Sequence, residues 1–531
     1  MRRRDLLKSG FYAATAAATP KPPGARLPPI SSHPDSCLDL RTTHNDKDED
    51  QIGSAFHFAL GDLFSNIRYY QSGLLKTEQP VLCAGADYKD PWTRDTAINT
   101  WNGFGLLFPK VAKSTLLSCL QGTDHGPTIT GQYWDKIIWA LGAWNYYLYT
   151  GDREFLALAL AASLNTMREL EEDEFDSDRG LFRGPAVYGD GIGAYPPLYT
   201  KTGVYTGGEW VSTITKWVAE NPRLRAPHGF GLPMQTLSTN CLYRTAYLTL
   251  AEMARELKIA VDPSWLESAD KLRSAINREF WMEERATYRY LVDPNGNCDR
   301  QEGMGLAFAL LFDVSNPEQR AAVYRHTYIS SAGIPCLYPS FERYVNPEHT
   351  SYGRHSGTVW PQIEAFWGHA AARDGQIEIF ANELDKLTAH AWRDKQFVEV
   401  YHPDTGLPYG GIQESNSDPF WQPWPVCNRQ SWSASGYVRL ILMGMFGASF
   451  YPDGIRFRPA MPLESGWAEL KGLRYREATL DIEITGRGSR LSEFRVNGVR
   501  RSQPFLAASA RGMQHIKIEM TQADRPPAAP A

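Results

Sequence analysis

The sequence predicts a mainly α-helical protein made of six helical hairpins, followed by a small antiparallel β domain. Between residues 51 and 446, about a dozen amphipathic stretches carry apolar residues at helical spacing. After Gly447 the pattern changes to short segments that alternate apolar and polar residues, which is typical of strands. The length of 531 residues exceeds what one hydrophobic core usually fills, so it favours two folding units or one large helical toroid.

The predicted elements follow one another along the chain, with turn residues between them. The helical stretches lie near residues 51–69, 95–118, 132–150, 153–173, 207–219, 238–257, 263–283, 302–313, 317–328, 358–373, 376–395 and 431–446. The predicted strands are 470–475, 479–484, 491–496 and 515–519. Long loops rich in Gly, Pro, Trp and Tyr at 174–206, 329–357 and 396–430 are expected to carry function, because loops of that length are usually functional.

The N-terminus matches a twin-arginine export signal. Arg3, Arg4, Leu6, Leu7 and Lys8 precede an Ala-rich, mildly apolar stretch and a Pro-rich run. A basic disordered tail is the alternative explanation.

The sequence as a whole predicts a signal peptide and linker over 1–34, a catalytic domain over 35–450, a β-sheet domain over 451–520 and a disordered tail over 521–531. The expected location is the periplasm or the exterior of the cell, with no membrane anchor after export, and cleavage of this segment during export would test it.

Composition narrows the class of partner. The net charge of -5 comes without dense Lys/Arg blocks, which argues against a nucleic-acid partner. The aromatic content of 12%, including 16 Trp, suits a cleft that binds the apolar faces of sugar rings, although large cores also use such residues.

The seven cysteines form no C-x-x-C pair and are expected to be buried apolar residues. Neither the cysteines nor the twelve His have metal-ligand spacing, so no metal or cofactor is expected. Either a monomer or a homodimer is compatible with the sequence.

Two clusters join an aromatic residue to an acid at a helix start. In Asp90-Pro-Trp-Thr-Arg-Asp95, Trp92 can stack on a sugar, Asp95 can accept hydrogen bonds from two hydroxyls and Arg94 can hold that carboxylate ionised. Gln132-Tyr-Trp-Asp135 has the same character. In both clusters the alternative role of the acid is a helix cap.

Single acids in the long loops are candidates for proton transfer. Asp190 lies between glycines and is flanked by Tyr188 and Tyr195, an environment that favours the protonated form and suits a proton donor, although a Gly-Asp-Gly turn is the simpler interpretation. Glu399 lies on an extended segment before a Trp-rich loop and can serve as the second carboxylate. Glu302 and Glu414 are rivals for that role, or substrate ligands.

Taken together, these motifs resemble the six-hairpin glycosidases, in particular glycoside hydrolase family 63 and the mannosylglycerate hydrolase-like group. The resemblance covers about residues 80–460. It rests on five segments, namely Trp92-Thr-Arg-Asp95, Gln132-Tyr-Trp-Asp135, His355-Ser-Gly-Thr-Val-Trp-Pro361, Glu399-Val-Tyr-His-Pro-Asp-Thr-Gly406 and Gln430-Ser-Trp-Ser-Ala-Ser-Gly436. It implies an (α/α)6 barrel, or six-hairpin toroid, with Asp190 as general acid and Glu399 as general base of an inverting reaction. The chain departs from the group where members often have Ser-Gly-x-Asp-Asn, since it has Tyr-Gly-Asp-Gly at Asp190.

The function expected from this resemblance is exo-acting hydrolysis of an α-linked glucoside or mannoside. The substrate-binding candidates are Trp92, Arg94, Asp95, Tyr133, Trp134, Asp135, Tyr188, Glu302, His355, Trp360, Gln430 and Trp432. Two alternatives stay open. A polysaccharide lyase would use His355 and Arg354, and a non-catalytic protein would only bind glycans.

Overall fold

A computed structural model describes residues 38–44, 50–199, 213–414 and 421–521. In these residues there are twelve α-helices of seven residues or more, numbered here in chain order. They are α1 (Gln51–Ser65), α2 (Thr93–Asn99), α3 (Pro109–Ser118), α4 (Ile138–Thr150), α5 (Arg153–Glu174), α6 (Leu237–Leu257), α7 (Pro263–Phe280), α8 (Gly303–Leu311), α9 (Pro317–His326), α10 (Pro361–Arg373), α11 (Ile377–Asp394) and α12 (Ser431–Arg439). The chain is thus mainly helical, as the periodicity predicts.

Six of these helices contact one another in a closed order. Helix α2 packs on α4, α4 on α6, α6 on α8, α8 on α10, α10 on α12, and α12 on α2. Helices in this ring and outside it differ in burial. Helix α8 is apolar on every side and buries its residues from Gly303 to Leu310, whereas α7, which is not part of the ring, buries only one stripe that runs from Ala269 to Phe280.

Other helices pack on members of this ring. Helix α5 packs on α4 and α6, α7 on α6, α11 on α10, and α1 on both α11 and α12. Helix starts are set by local chemistry. Asp262 accepts a hydrogen bond from the backbone of Ser264 before α7, and Asn316 forms a capping box with Gln319 before α9, each with Pro in the first turn.

Two predicted helical stretches differ from the structure. The stretch 95–118 is divided into α2, a π-helical turn over Thr100–Phe104, a short helix over Gly105–Leu107, and α3. Gly103 in that turn has a φ of 117°, which interrupts regular helix geometry. In the stretch 207–219, the described part contains only a 3-10 turn over Ile214–Lys216 and the first residues of a short helix, Trp217–Glu220.

The C-terminal region forms a six-stranded sheet and a three-stranded sheet. The strand order in the larger sheet is Asp39–His44, Ser465–Tyr475, Ala478–Gly486, Gly512–Thr521, Arg490–Val496, Val499–Arg500, and the smaller sheet joins Ala448–Tyr451, Gly454–Phe457 and Phe505–Ala507. One pair, Ala478–Gly486 with Gly512–Thr521, is parallel, so the expected purely antiparallel domain is wrong in this detail. The reason is that the hairpin of Arg490–Val496 and Val499–Arg500 lies on the far side of the last strand.

The loops of the helical part carry short two-stranded ladders. They pair Ile67–Tyr70 with Gln79–Leu82, Leu120–Thr123 with Gly126–Ile129, Phe175–Asp176 with Leu181–Phe182, Gln235–Thr236 with Leu291–Val292, Trp281–Met282 with Thr287–Tyr288, Gln301–Glu302 with Leu337–Tyr338, and Ile412–Glu414 with Trp421–Pro423. Further 3-10 turns lie at Ile192–Ala194, Pro197–Tyr199 and Glu342–Tyr344. These ladders fix the backbone of loops that would otherwise be long and irregular.

Some sequence expectations fall outside the described residues. These are the twin-arginine segment with its Pro-rich linker and residues 522–531 of the tail. Within the described ranges, no helix has both the length and the apolar character that a bilayer crossing requires. The six cysteines of those ranges are all buried, which confirms the expected location of their side chains.

Candidate active site

One cleft collects residues that are far apart in the chain. It has about 610 Å³ of empty space, a volume that includes its open mouth. Its lining consists of Tyr88, Trp92, Arg94, Asp95, Tyr188, Asp190, Gly191, Thr213, Arg354, His355, Trp360, Glu399, Gln413, Trp424, Gln430 and Trp432. Asp190 and Glu399, separated by 209 positions in the sequence, therefore face the same space.

Three helices of the closed ring begin at this cleft. Arg94 and Asp95 lie in the first turn of α2, Trp360 directly precedes α10, and Trp432 lies in the first turn of α12. The remaining residues come from the loops between helices. Because the three helix starts belong to one closed set of packed helices, motifs at these starts come together in space.

Glu399 is buried and held on both carboxylate oxygens. Arg354 donates to Oε2 at 2.5 Å, and the hydroxyl of Tyr88 donates to Oε1 at 3.3 Å. The backbone amide of Glu399 donates to the carbonyl of Cys427 at 3.0 Å, which fixes the segment. A charge-assisted hydrogen bond from a guanidinium stabilises the ionised carboxylate, the form that a general base requires.

Asp190 is held less tightly. Its Oδ2 lies 3.7 Å from Nη2 of Arg94, and its Oδ1 lies 3.7 Å from Nε2 of His355, both beyond hydrogen-bond distance. Its side chain is 32% exposed. The neighbours of Asp190 are thus His355 and Arg94, and Arg94 also pairs with Asp135. The sequence suggested only the flanking tyrosines as neighbours.

His355 is neutral in this environment. Burial lowers the pKa of His355 to about 3, so the imidazole carries no charge at pH 7. The guanidinium of Arg94 is then the main positive charge beside Asp190. The ring stacks on Trp360 with 5.1 Å between centroids. Arg354, which the lyase alternative needs for neutralising a substrate carboxylate, already donates to Glu399.

Arg94 and Asp95 form the buried end of the cleft. Arg94 lies 3.5 Å from Oδ2 of Asp135 and donates to the carbonyl of Val187 at 2.8 Å. Burial raises the pKa of Asp95 to about 7, with Arg94 opposing the shift. The Oδ1 atom of Asp95 is buried and has no hydrogen-bond partner among the described residues, so a substrate hydroxyl that donates to it would satisfy it.

Aromatic side chains form the wall beside this acid. Trp360 and Trp432 meet edge to face at 5.6 Å, and the guanidinium of Arg94 lies 6.0 Å from the ring centroid of Trp432. With its amide oriented to satisfy both neighbours, Gln430 donates to the carbonyl of Ala84 at 2.9 Å and accepts from Nε1 of Trp432 at 3.2 Å. These contacts fix a rigid apolar surface of the kind that suits the C–H face of a sugar.

Some candidate residues do not line the cleft. Tyr133 stacks on Phe230 at 4.8 Å, Trp134 is fully buried, and Asp135 contacts the cleft only through Arg94. The Gln132–Asp135 segment therefore supports the cleft through Arg94 rather than lining it.

The two rival glutamates also lie outside the cleft lining. Glu302 is fully buried before α8, and its Oε2 accepts from the backbone amide of Ser238 at 3.1 Å, so it caps the neighbouring helix α6. Glu414 is buried and accepts a hydrogen bond from the hydroxyl of Tyr344. Neither carboxyl group faces Asp190 across the cleft, whereas Glu399 does.

Sequence reasoning missed several lining residues as substrate ligands. They are Tyr88, Gly191, Thr213, Arg354, Gln413 and Trp424. Arg354 and Gly191 directly adjoin His355 and Asp190, so adjacency was an available signal for them. Tyr88 and Gln413 carry no motif of their own, and only the fold brings them to the cleft.

A mainly helical chain whose loops place two carboxylates and several tryptophans in one cleft has the features of a glycoside hydrolase. The model of the mannosylglycerate hydrolase MGH1-like glycoside hydrolase domain matches residues 107–421. The chain therefore belongs to this family of glycoside hydrolase domains, which the motif resemblance had predicted.

Solved structures agree on the fold. A GH63 mannosylglycerate hydrolase from Thermus thermophilus aligns with a TM-score of 0.53 at 14% identity, over 73% of this chain and 100% of that one. A sialidase gives 0.61 at 12% identity over 89% of this chain, and a GH78 rhamnosidase of Bacillus sp. GL1 gives 0.54 at 13% over 91%. This chain spans only 40% of the sialidase and 44% of the rhamnosidase. No curated protein sequence matches it significantly.

Proposed function

We propose that the closed ring of α2, α4, α6, α8, α10 and α12 is the inner layer of an (α/α)6 barrel, with the remaining long helices as its outer layer. The order of helix contacts supports this arrangement. In such a barrel the loops at one end form the substrate site, which agrees with a cleft at three helix N-termini.

We further propose that the protein is an inverting, exo-acting glycosidase for an α-linked glucoside or mannoside. The observation that carries this proposal is the shared cleft of Asp190 and Glu399, in which only Glu399 has a guanidinium hydrogen bond. Two carboxyl groups with different environments are suited to opposite protonation states, one as acid and one as base.

In the proposed reaction, Asp190 donates its proton to the glycosidic oxygen while the bond from that oxygen to the anomeric carbon breaks. Glu399 takes a proton from a water molecule, whose oxygen bonds to the anomeric carbon from the opposite face. The products are a free leaving group and a sugar of inverted configuration, with Asp190 ionised and Glu399 protonated. Proton exchange with solvent restores both groups.

Burial within the cleft supports exo action. Asp95 and Trp360 are 6% and 1% exposed, so the sugar bound beside them would be enclosed and could not extend further in that direction. A chain-terminal sugar fits such an end. The α-linkage and the choice between glucose and mannose rest on the family resemblance, since the Thermus thermophilus neighbour is named a mannosylglycerate hydrolase.

The test is hydrolysis of a panel of α-linked disaccharides and glycosides, followed by NMR of the anomeric proton of the released sugar. We expect turnover with inversion, and a loss of about 10²–10⁴-fold in kcat for Asp190→Asn and for Glu399→Gln. Glu302→Gln is the matched control, because this buried acid lies outside the cleft lining. Retained configuration, an unsaturated product, or parent protein without turnover would each refute the proposal.

A further inference from the structure

The cleft has a buried end and an open end, and its aromatic residues divide between them. Trp360 and Trp432 are 1% and 4% exposed, whereas Trp92 is 40% exposed and still lines the same space. Asp190 is intermediate, with a side chain that is 32% exposed. Trp92 is thus the most exposed residue of the lining, which places it at the mouth of the cleft.

This difference in exposure along the cleft implies an orientation for the bound substrate. The general acid must reach the glycosidic oxygen, which joins the attacked sugar to its leaving group. If the attacked sugar occupies the enclosed end beside Asp95, the leaving group lies on the solvent side of Asp190. The exposure of Trp92, the highest among the lining residues, fits that side of the cleft.

The backbone holds Trp92 in place. Trp92 is the N-cap of α2 with extended backbone angles, and its carbonyl accepts the first helical hydrogen bond from Thr96 at 2.8 Å. The next side chain, Thr93, donates to the carbonyl of Thr130 at 2.9 Å. A large apolar ring on a rigid backbone at the mouth of a cleft can bind a ligand favourably, because ordering that ring on binding costs little entropy.

The charges in the cleft favour a neutral leaving group. Arg94 lies within ion-pair distance of Asp135 and Asp190, and Arg354 donates to Glu399. Both guanidinium groups that line the cleft are thus already matched with carboxylates. What the mouth offers is the indole face of Trp92, which binds the apolar C–H face of a pyranose ring.

We propose that Trp92 forms the subsite for the leaving group, and that this group is a neutral pyranose sugar, so that the substrates are α-linked disaccharides or oligosaccharides. This inference rests on the proposed function. It assigns Trp92 to the leaving group rather than to the sugar bound beside Asp95. It also differs from what the name of the mannosylglycerate hydrolase neighbour would suggest, since glycerate is a small anion without a pyranose ring.

The experiment compares two substrates with the same terminal sugar, one a disaccharide and one the α-glycosyl fluoride, whose leaving group has no ring. We expect Trp92→Ala to lower kcat/KM for the disaccharide about tenfold and to change it less than about twofold for the fluoride. Trp92→Phe, which keeps an aromatic face, should retain most of the activity on both. Tyr69→Ala is the matched control, since Tyr69 is 45% exposed and lies outside the cleft lining.

Three outcomes would overturn the inference. An equal loss on both substrates would place Trp92 at the terminal sugar or in a purely structural role. A parent enzyme that cleaves the fluoride and a glycoside of an anionic polyol, but no neutral disaccharide, would show that the leaving group is not a sugar. A parent that cleaves neither the fluoride nor any disaccharide would refute the proposed function itself, and the inference with it.

Discussion

Asp95 combines burial, an unsatisfied oxygen and contact with the cleft. Burial raises its pKa to about 7, with Arg94 opposing the shift, so the carboxyl group changes charge near neutral pH. An ionised carboxylate accepts stronger hydrogen bonds from sugar hydroxyls than a protonated one. The affinity for the terminal sugar should therefore be highest above pH 7 and fall as the pH drops through that value.

Titration calorimetry with the product monosaccharide between pH 5.5 and 8.5 would check this prediction without depending on the catalytic acid and base. Asp95→Asn keeps the shape of the side chain but cannot ionise. We expect it to bind about 10–100-fold more weakly at pH 8 and with little pH dependence. If the Asn variant shows the same pH dependence as the parent, Asp95 is not the titrating group.

At the scale of single residues, the sequence predicted those site residues that lie in contiguous motifs. Trp92, Arg94 and Asp95 share one helix start, so a single motif indicated three residues that line the cleft. The similar segment Gln132–Asp135 could not be distinguished from it, because a helix-start acid has the same sequence pattern whether it faces a cleft or the back of a neighbouring helix. Asp135 lies outside the cleft lining and pairs with Arg94 at 3.5 Å.

Among the elements, the turn that follows Asp190 is held by one arginine. The guanidinium of Arg343 donates to the carbonyls of Ile192 and Tyr195, at 3.2 and 2.6 Å. It also stacks on Phe341, with 4.6 Å between the guanidinium carbon and the ring centroid. Arg343 is thus a positioning residue for the loop that carries the proposed acid.

We expect Arg343→Met to lower kcat on a disaccharide about tenfold with little change in KM, because a displaced acid protonates the leaving group poorly. The loss should be smaller on the glycosyl fluoride, whose leaving group needs little protonation. Arg300→Met is the matched control, since Arg300 also stacks on Phe341, at 4.4 Å, but pairs with Glu342 at the surface. Equal losses on both substrates would indicate a general structural defect instead.

The helices were easier to predict than their interruptions. Apolar spacing identifies α4 to α8 and α10 to α12 because each presents a continuous buried stripe. The same spacing continues through Thr100–Phe104, so periodicity alone predicts one helix where the structure has a π-helical turn at Gly103. That turn is set by packing against α12, a contact between residues more than 300 positions apart.

The first and last strands of the described residues belong to one sheet, which no local pattern shows. Strand Asp39–His44 pairs with Ser465–Lys471, with Leu40 opposite Leu470. Six residues with no long alternating pattern give little strand signal, and their partner lies beyond the whole helical region. Such long-range pairing depends on the ring of helices bringing the ends together, so it belongs to the whole molecule rather than to any element.

Across the whole molecule, buried carboxyl groups outside the cleft set the pH dependence of stability. Burial raises the pKa of Asp62 to about 7 and the pKa values of Glu174 and Glu302 to about 8. In each case the folded pKa lies above the unfolded one, so the folded state holds more protons between the two values. The free energy of unfolding should therefore fall as the pH rises, by about 1.4 kcal/mol per pH unit for each such group.

The window from pH 6.5 to 8 isolates this effect. Burial lowers the pKa values of His355 and His390 to about 3 and about 4, so these side chains destabilise the fold only at more acidic pH, where the unfolded chain takes up their protons. Urea titrations at several pH values should show the midpoint falling across the window. Glu302→Gln stays neutral, so it should make the pH dependence of the free energy of unfolding shallower by about 1.4 kcal/mol per pH unit, the contribution of one proton. Glu284→Gln, at an exposed position, should leave this pH dependence unchanged. A parent slope of zero or a rising midpoint would contradict the prediction, because it would mean that these carboxyl groups ionise in the folded state as readily as in the unfolded chain.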